Sequence, residues 1–550
     1  MKKSTYLTSG LLASFVVLAA CASEPDNDGA GNDGAPPDNT NNTNEEAADN
    51  NNGDGEVEEL QEGNDLIIAT LSDITSLDPH TTSDVPSGNV QINIFETLTK
   101  SDENFEIQPH LAESWEDVEE DIWEFQLRDD VTFTDGEEFN AEVVQQNLER
   151  LLDPDVGSPR AGLFEVIEEI EIVDDYTIRL HTEMPFSALP AHLSTYPSSM
   201  VSPALIEADY ENMEDEGQPG DIVNEEPAGS GMFTLNDWDP GNQVVLDANE
   251  EYWDGRVNVD SATFRVVSED LTRLGELETG SAHVIDPVTP SDMSRVEGTD
   301  GVNIFQTEAA SITYMGFNAD VEPFNDPEVR RALDMAVNKD NMLEGVLEGN
   351  GTPAVGPINE TQFGFSDEVE ANEYDPEQAQ QILADAGYED GFETTLWTND
   401  SQERMDIAEL IQADLSMIGV DVSIEVLEWG AYLDATAEGE HDMFILGLSL
   451  PTMDADYPLH ELFHSDSVGE GNRFFFDDAE FDALIADARE ETDEQAREDL
   501  YVEAVDYLNE MAPASFLYHP DHIMGYRDEV SGFWADGSGL YQLRDVEIEQ

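Results

Sequence analysis

From residue 65 onward the apolar positions fall into two recurring patterns. Short apolar runs bounded by polar residues, such as Asp65-Leu66-Ile67-Ile68-Ala69-Thr70-Leu71, predict buried strands. The same reading places strands at Trp123 to Leu127, Thr177 to His181, Val244 to Asp247, Thr263 to Val267 and Val422 to Leu427. Between them, apolar residues recur at helical spacing. Asn140 is placed to cap a helix whose Val144, Leu148 and Leu151 share one face. Asp326-Pro327 and Asp375-Pro376 each set a capping Asp before a Pro at the first helical position. The first opens a helix with Val329, Leu333, Ala336 and Val337 inward, and the second runs to a C-cap at Gly387. Thr492 and Gln495 have capping-box spacing ahead of a helix through Leu500, Ala504, Val505 and Leu508. The Gly-, Pro- and acid-rich stretch 211–231 predicts a loop or boundary. The pattern is that of an α/β protein with helices and strands interleaved throughout. About 490 residues follow the first sixty, more than one hydrophobic core covers, so at least two domains are expected.

The first sixty residues read differently. Met1, Lys2 and Lys3 precede an apolar core of Leu7, Leu11, Leu12, Phe15, Val16, Val17 and Leu18, the layout of a signal peptide over 1–20. Leu18-Ala19-Ala20-Cys21 then resembles the bacterial lipobox, in which the thiol is joined to diacylglycerol and the chain is cut before the cysteine. The alternative is an ordinary secretory peptide with a chance cysteine. Cys21 is the only cysteine, so disulfides, thiolate metal sites and thiol catalysis are excluded. From Ala22 to Leu60 the chain has no aromatic residue and no positive charge, a composition that cannot offset its ordering entropy. As a flexible tether, 21–60 would span roughly 35 Å.

Charge changes the picture further. The chain carries 126 acidic against 20 basic side chains, a formal net charge of −106, with no Lys or Arg between Lys3 and Lys100. Such self-repulsion opposes compaction at low ionic strength. At about 1 M salt the Debye length falls to about 3 Å, so the surface suits concentrated salt. The acid is spread along the whole chain, which favours a solvation role over a dedicated cation site. Nucleic acid is excluded as a partner, because no basic stripe exists to neutralise phosphates. After residue 20 no apolar run is long enough to cross a bilayer.

Several stretches resemble one family in order. They begin with Leu111-Ala112-Glu113-Ser114-Trp115-Glu116, Trp123 to Arg128, Val131 to Gly136 and Phe139 to Val144. Pro227 to Phe233 follows, with its Gly229-Ser230-Gly231 turn, then Asn249 through Tyr252-Trp253 and Gly255. Gly316-Phe317-Asn318, Asp326 to Arg331, Ala336 to Lys339, Ile411 to Leu415, Ile418 to Val420 and Glu428-Trp429 continue the match. Together they resemble the large peptide- and nickel-type solute-binding proteins of ABC importers (extracellular family 5). The resemblance implies a large two-lobed periplasmic-binding-protein-like fold with an extra inserted domain. Mapped onto this chain, the base lobe would comprise 61–92, 225–308 and 523–550, the extra domain 93–224 and the second ligand-binding lobe 309–522. It also implies a binding protein rather than an enzyme, needing no cofactor and no oligomer. Such a protein would sit at the outer face of the cytoplasmic membrane through the lipid on Cys21 and hand its ligand to ABC permease subunits.

Ligands of this family are enclosed between the lobes, where fixed polar groups must meet their charged ends. Dipeptide-binding members hold the ligand ammonium with an Asp in the loop after a strand matching Phe444 to Gly447. Here that position aligns with Pro451 or Leu450, so simple dipeptide binding loses its anchor. The loop is closer to the glutathione-binding branch, through Ser449, Thr452, Asp454, Ala455 and Asp456. Glutathione or a short peptide is therefore the expected ligand, with Ser449, Thr452, Asp454 and Asp456 as candidate contacts. For each, loop-stabilising bonds are the alternative. A ligand carboxylate would want an arginine fork, and Arg404 stands at a strand-to-helix entry where helix amides also favour an anion. Ser87 and Asn89 open a helix that faces the cleft in the mapped architecture. Trp397 and Trp429 are candidates for stacking on the ligand, or for core packing.

Two other functions compete. His460 and His464 have helix-face spacing with Asp456 and Glu461 nearby, which suits a nickel- or metallophore-binding member of the same family, though no third ligand is evident. A surface hydrolase with paired carboxylates is the reading from another class. No nucleophile–base arrangement, phosphate loop or metalloprotease motif supports it.

Overall fold

The structure, a computed structural model, describes residues 64–549. The expected signal peptide, Cys21 and the whole acidic tether lie outside the described residues. Among the described residues no helix is long and apolar enough to cross a membrane.

Three sheets organise the chain. In the seven-stranded sheet, Asp65–Thr70 lies at the centre, parallel to Ser261–Val266 on one side and Val284–Asp286 on the other. Gln243–Ala248 and Phe233–Asp239 extend it antiparallel beyond Ser261–Val266. Asp521–Arg527 and Val302–Glu308 complete the other flank. Asp65–Thr70 is buried on both faces, which is why its sequence is an almost unbroken apolar run. The six-stranded sheet takes Ser311–Phe317 and Ala514–His519 together with Met443–Ser449, Phe392–Asn399, Val420–Leu427 and the short Thr352–Pro353. The four-stranded antiparallel sheet is formed by Ala112–Glu119, Ile122–Leu127, Thr177–Thr182 and Ile167–Asp174. Each sheet has its own apolar core, around Ile68 and Phe233, around Ile445 and Leu333, and around Phe125 and Leu148.

The helix starts follow from local chemistry. Asn140 accepts from the amides of Glu142 and Val143, and Asp326 from that of Glu328, at the N-termini of Ala141–Leu151 and Pro327–Ala336. Asp375 caps Pro376–Asp385, and the chain leaves that helix through Gly387 at φ +98°. Two expectations need correction. The helix Glu494–Met511 is capped by Asp493, which accepts from Ala496 N, one residue beyond the Thr492 that the spacing suggested. The stretch 211–231 contains the end of Pro203–Glu214 and all of Asp221–Glu225. It is ordered by buried Asp209, which accepts from the amides of Gly220 and Ile222.

Two short crossings join the seven- and six-stranded sheets. Val302–Glu308 leads into Ser311–Phe317 through Ala309 and Ala310, and Ala514–His519 leads into Asp521–Arg527 through Pro520. The crossings are bonded to each other, Ala309 N donating to Pro520 O at 2.9 Å and His519 Nδ1 lying 2.8 Å from Ser311 O. Such a pair of short connections between two packed bodies is where a hinge motion would be absorbed.

Candidate functional site

A cavity of about 420 Å³ opens beside these crossings. Its wall draws on every part of the molecule. Ala309–Ser311 and Pro520–His522 come from the crossings, Ser449 to Pro451 from the end of the strand Met443–Ser449, and Asp536 to Ser538 from the C-terminal segment. Glu96, Lys100, His110 and Arg160 face it from the part that carries the four-stranded sheet. Backbone bonds tie the strand-end loop to the crossing: Leu450 N donates to Ala310 O at 2.8 Å, and Ala310 N to Gly537 O at 2.6 Å.

Glu96 explains part of the sequence signature. Its Oε1 accepts from Tyr252 OH at 2.7 Å and lies 3.1 Å from His110 Nε2, while Oε2 accepts from Ser230 Oγ at 2.6 Å and Trp253 Nε1 at 2.9 Å. Burial pushes this carboxyl up, but His110 and the other donors outweigh it and hold it below the usual carboxylate range. Gly229 is required by the same junction, since a Cβ there would meet Ile94 O at 2.0 Å. Asp536, also on the wall and 8% exposed, is the opposite case. Burial pushes it up to about 6 despite amide donors from Ser538 and Leu540.

The sequence-predicted residues divide into three groups. Arg404, Trp429 and Ser449 gather at one end of the six-stranded sheet. The Arg404 guanidinium lies 5.4 Å over the Trp429 ring and donates to Asn399 Oδ1 at 3.1 Å. It also flanks Gly447, where a Cβ would sit 3.8 Å from Nη2, two residues before exposed Ser449 on the cavity wall. Ser87 and Asn89 are buried in the other body: the Ser87 hydroxyl accepts from Thr75 N at 2.9 Å, and Asn89 Oδ1 from Tyr541 N at 2.7 Å. Asn89 borders a second, apolar cavity of about 200 Å³ at the carboxyl end of Asp65–Thr70.

Thr452, Asp454 and Asp456 form the third group, all buried with their side chains engaged inside the protein. Thr452 Oγ1 donates to Asp454 O at 3.3 Å. Asp454 is ion-paired with Arg497 and accepts from Tyr501 OH at 3.1 Å. Asp456 accepts from Arg489 Nε at 2.5 Å, with His192 Nε2 at 3.7 Å. Burial would raise the Asp456 carboxyl, but Arg489 and His192 outweigh it and hold it well below its ordinary value. His192 belongs to a segment that meets the helix Ala479–Glu490, where Ser187 Oγ donates to Glu491 O at 2.6 Å. Asp456 thus stitches two parts of the molecule together. Trp397 is half-buried, its Nε1 donating to Thr395 Oγ1 at 3.1 Å.

The His460 and His464 rings stack at 4.4 Å, and His464 Nδ1 accepts from Asp466 N at 3.2 Å. Burial lowers His460 to about 3, with Arg489 and His464 adding to the effect. Among the described residues no group of three His, Cys, Asp or Glu side chains is arranged to hold a metal ion. The wall residues Glu96, Lys100, His110, Arg160 and Asp536 were missed by sequence reasoning. The one signal available was Lys100, the first basic residue after a gap that begins at Lys3.

Comparison with known proteins places this geometry. Residues 106–470 match the family described as bacterial extracellular solute-binding proteins, family 5 Middle. The chain is 30% identical over 498 residues to the glutathione-binding protein GsiB of Pectobacterium atrosepticum, covering 88% of this chain and 94% of that one. It is 31% identical over 470 residues to heme-binding protein A of Haemophilus influenzae, covering 81% and 84%. A solved structure, the ABC transporter-associated periplasmic binding protein DppA from Helicobacter pylori in complex with the peptide STSA, superposes with a TM-score of 0.73. That match has 29% identity and covers 89% of this chain and 98% of that one. With two bodies hinged by paired crossings and a cavity at the hinge, the chain belongs to the bacterial extracellular solute-binding proteins of family 5, and its task is to bind a solute rather than transform one.

Proposed function

We propose that this protein is the lipid-anchored capture component of an ABC importer, taking glutathione or a short peptide between two lobes and delivering it to the permease. The observation that carries the reading is the cavity at the paired crossings, bordered by the strand-end loop with Ser449. Its volume of about 420 Å³ lies within the range of small-molecule sites. Two relatives support the ligand class: one is named for glutathione and the other was solved with a peptide. The lobes would be 61–92 with 225–308 and 523–550 as base, 93–224 as inserted domain and 309–522 as second lobe. The distribution of strands among the three sheets supports that division. Arg404 and Trp429 do not line the cavity itself, but the approach of Arg404 to Gly447, two residues before Ser449, supports a role for it in receiving a ligand carboxylate. The engagement of Thr452, Asp454 and Asp456 inside the protein argues for a supporting role in the loop.

Thermal unfolding in high-salt buffer with glutathione, dipeptides, longer peptides or Ni²⁺ tests the ligand class, since a ligand that binds only the folded state raises the midpoint. A shift with glutathione or a peptide is expected. A shift with Ni²⁺ alone would overturn the reading. Arg404→Ala should weaken carboxylate-bearing ligands at least tenfold, and unchanged affinity would remove it from the site. The anchor rests on Leu18-Ala19-Ala20-Cys21. Mass spectrometry of the mature N-terminus should find a diacylglyceryl-modified cysteine, and Cys21→Ala should release the protein from membranes.

A further inference from the structure

Of the Lys and Arg side chains on the cavity wall, Arg544 holds Asp254, but Lys100 and Arg160 are set differently. With 126 acidic and 20 basic side chains, a carboxylate is almost always within reach of a cation. Arg128, Arg179, Arg256 and Arg295, at or near the surface, each hold at least one. Lys100 and Arg160 do not: among the described residues no carboxylate oxygen lies within 4.0 Å of either. Arg160 Nη2 donates to Ser83 O at 3.3 Å, and its Nε is buried with no acceptor. Glu461 feels the Arg160 charge but lies beyond ion-pair reach. The acids on the same wall are already engaged. Glu96 has its four donors, Asp254 is held by Arg544, Asp521 accepts from Gln306 Nε2 at 2.6 Å, and Asp536 accepts from two backbone amides. Each acid on the wall thus already has at least one donor, whereas Lys100 and Arg160 have no carboxylate among the described residues. A ligand placed there gains by bringing carboxylate oxygens and gains little by bringing an extra ammonium.

We infer that the site selects acidic peptides, those with a carboxylate beyond the one at the C-terminus, and that Lys100 and Arg160 receive that extra carboxylate. The inference rests on the reading of this cavity as the peptide or glutathione site and specifies its ligand class. Glutathione, with two carboxylates and one ammonium, falls inside the class, and so do glutamyl peptides in general. A hydrated surface cation would serve no such purpose. It would also not account for two unpaired cations sharing one cavity in so acidic a chain.

The test is calorimetric titration of the full chain in 1 M KCl with the tripeptides Glu-Ala-Ala, Gln-Ala-Ala and Lys-Ala-Ala, and with glutathione. Glu-Ala-Ala should bind at least tenfold tighter than Gln-Ala-Ala, and Lys-Ala-Ala weakest. In Lys100→Gln and Arg160→Gln the ratio of Glu-Ala-Ala to Gln-Ala-Ala affinity should shrink several-fold. Lys100 is exposed, so Lys100→Gln decides the matter even where Arg160→Gln folds poorly. Equal binding of the three tripeptides, or an advantage that survives Lys100→Gln, overturns the inference and leaves the peptide reading standing. Absence of binding by all four compounds overturns both.

Discussion

Asp536 shows how a single side chain sets a measurable property of this site. It is buried on the cavity wall, and burial raises its pKa to about 6 from the ordinary 3.8. The folded state therefore binds more protons than the unfolded chain between about pH 4 and 6. Stability contributed by the protonated form is present below pH 4 and is lost as pH rises through 6. Above pH 6 the charged carboxylate is a standing cost of about 2–3 kcal/mol, at about 1.4 kcal/mol per pKa unit. Ser538 and Leu540 both donate to Oδ1, an acceptor that an amide retains. Asp536→Asn should therefore stabilise the protein by about 1–3 kcal/mol at pH 8 and have little effect at pH 4. Urea unfolding at the two pH values checks this. Equal stability of the two proteins at pH 8 would show that the charge is solvated.

Among elements, the Glu96 junction binds together segments that lie far apart in the chain. The turn at Ser230 ahead of the strand Phe233–Asp239, the Tyr252-Trp253 pair and His110 all aim donors at one carboxylate, and Arg128 lies 4.1 Å over the Trp253 ring. Glu96→Ala would strand these donors in the interior and should cost about 3–5 kcal/mol, at about 1–3 kcal/mol for each buried donor left without an acceptor and part of that recovered by relaxation. Glu96→Gln, which keeps one acceptor, should cost less. Urea midpoints for the two variants check the order. The junction also shows what the sequence can and cannot convey. Strands such as Asp65–Thr70 and helices opened by Asn140, Asp326 and Asp375 were legible because their signals are local: apolar runs, capping side chains, Pro at the first turn. The motif stretches made the family legible, but not the reason for them, because Glu96 lies outside every stretch that carried the resemblance. Site residues were less legible. Asp454 and Asp456 look like ligand contacts in a loop, yet the partners that engage them, Arg497, Tyr501 and Arg489, lie on helices more than thirty residues further on. A side chain's chemistry can be read from the sequence, but its partner is fixed only by tertiary packing.

For the molecule as a whole, two charge effects pull against each other as pH falls. A net charge of −106 opposes the compact state, and protonating surface carboxylates near pH 4–5 relieves that repulsion. Against it stand buried histidines kept neutral. Burial lowers His80, His441 and His519 each to about 4 from 6.5, with Arg150 adding to the effect at His80 and the backbone partners of His441 and His519 opposing it. The unfolded chain then binds more protons than the folded one between about pH 4 and 6.5. The stability is fully present above pH 6.5 and is lost as pH falls toward 4. Each histidine accounts for up to about 3 kcal/mol at about 1.4 kcal/mol per unit, so the three together rival the whole stability of a typical domain. The histidine loss begins two pH units before the surface carboxylates titrate, so it comes first. Salt separates the two effects, because at about 1 M the Debye length of about 3 Å screens surface repulsion while leaving buried groups nearly untouched. At pH 7.5 the melting temperature should climb steeply between 0.1 and 2 M KCl. In 2 M KCl it should be level from pH 9 to 7 and fall from pH 6.5 to 4. Differential scanning calorimetry across that grid checks both limbs. A melting temperature that holds or rises from pH 6.5 to 5 in 2 M KCl would mean that the interior histidines are hydrated enough to charge within the folded state.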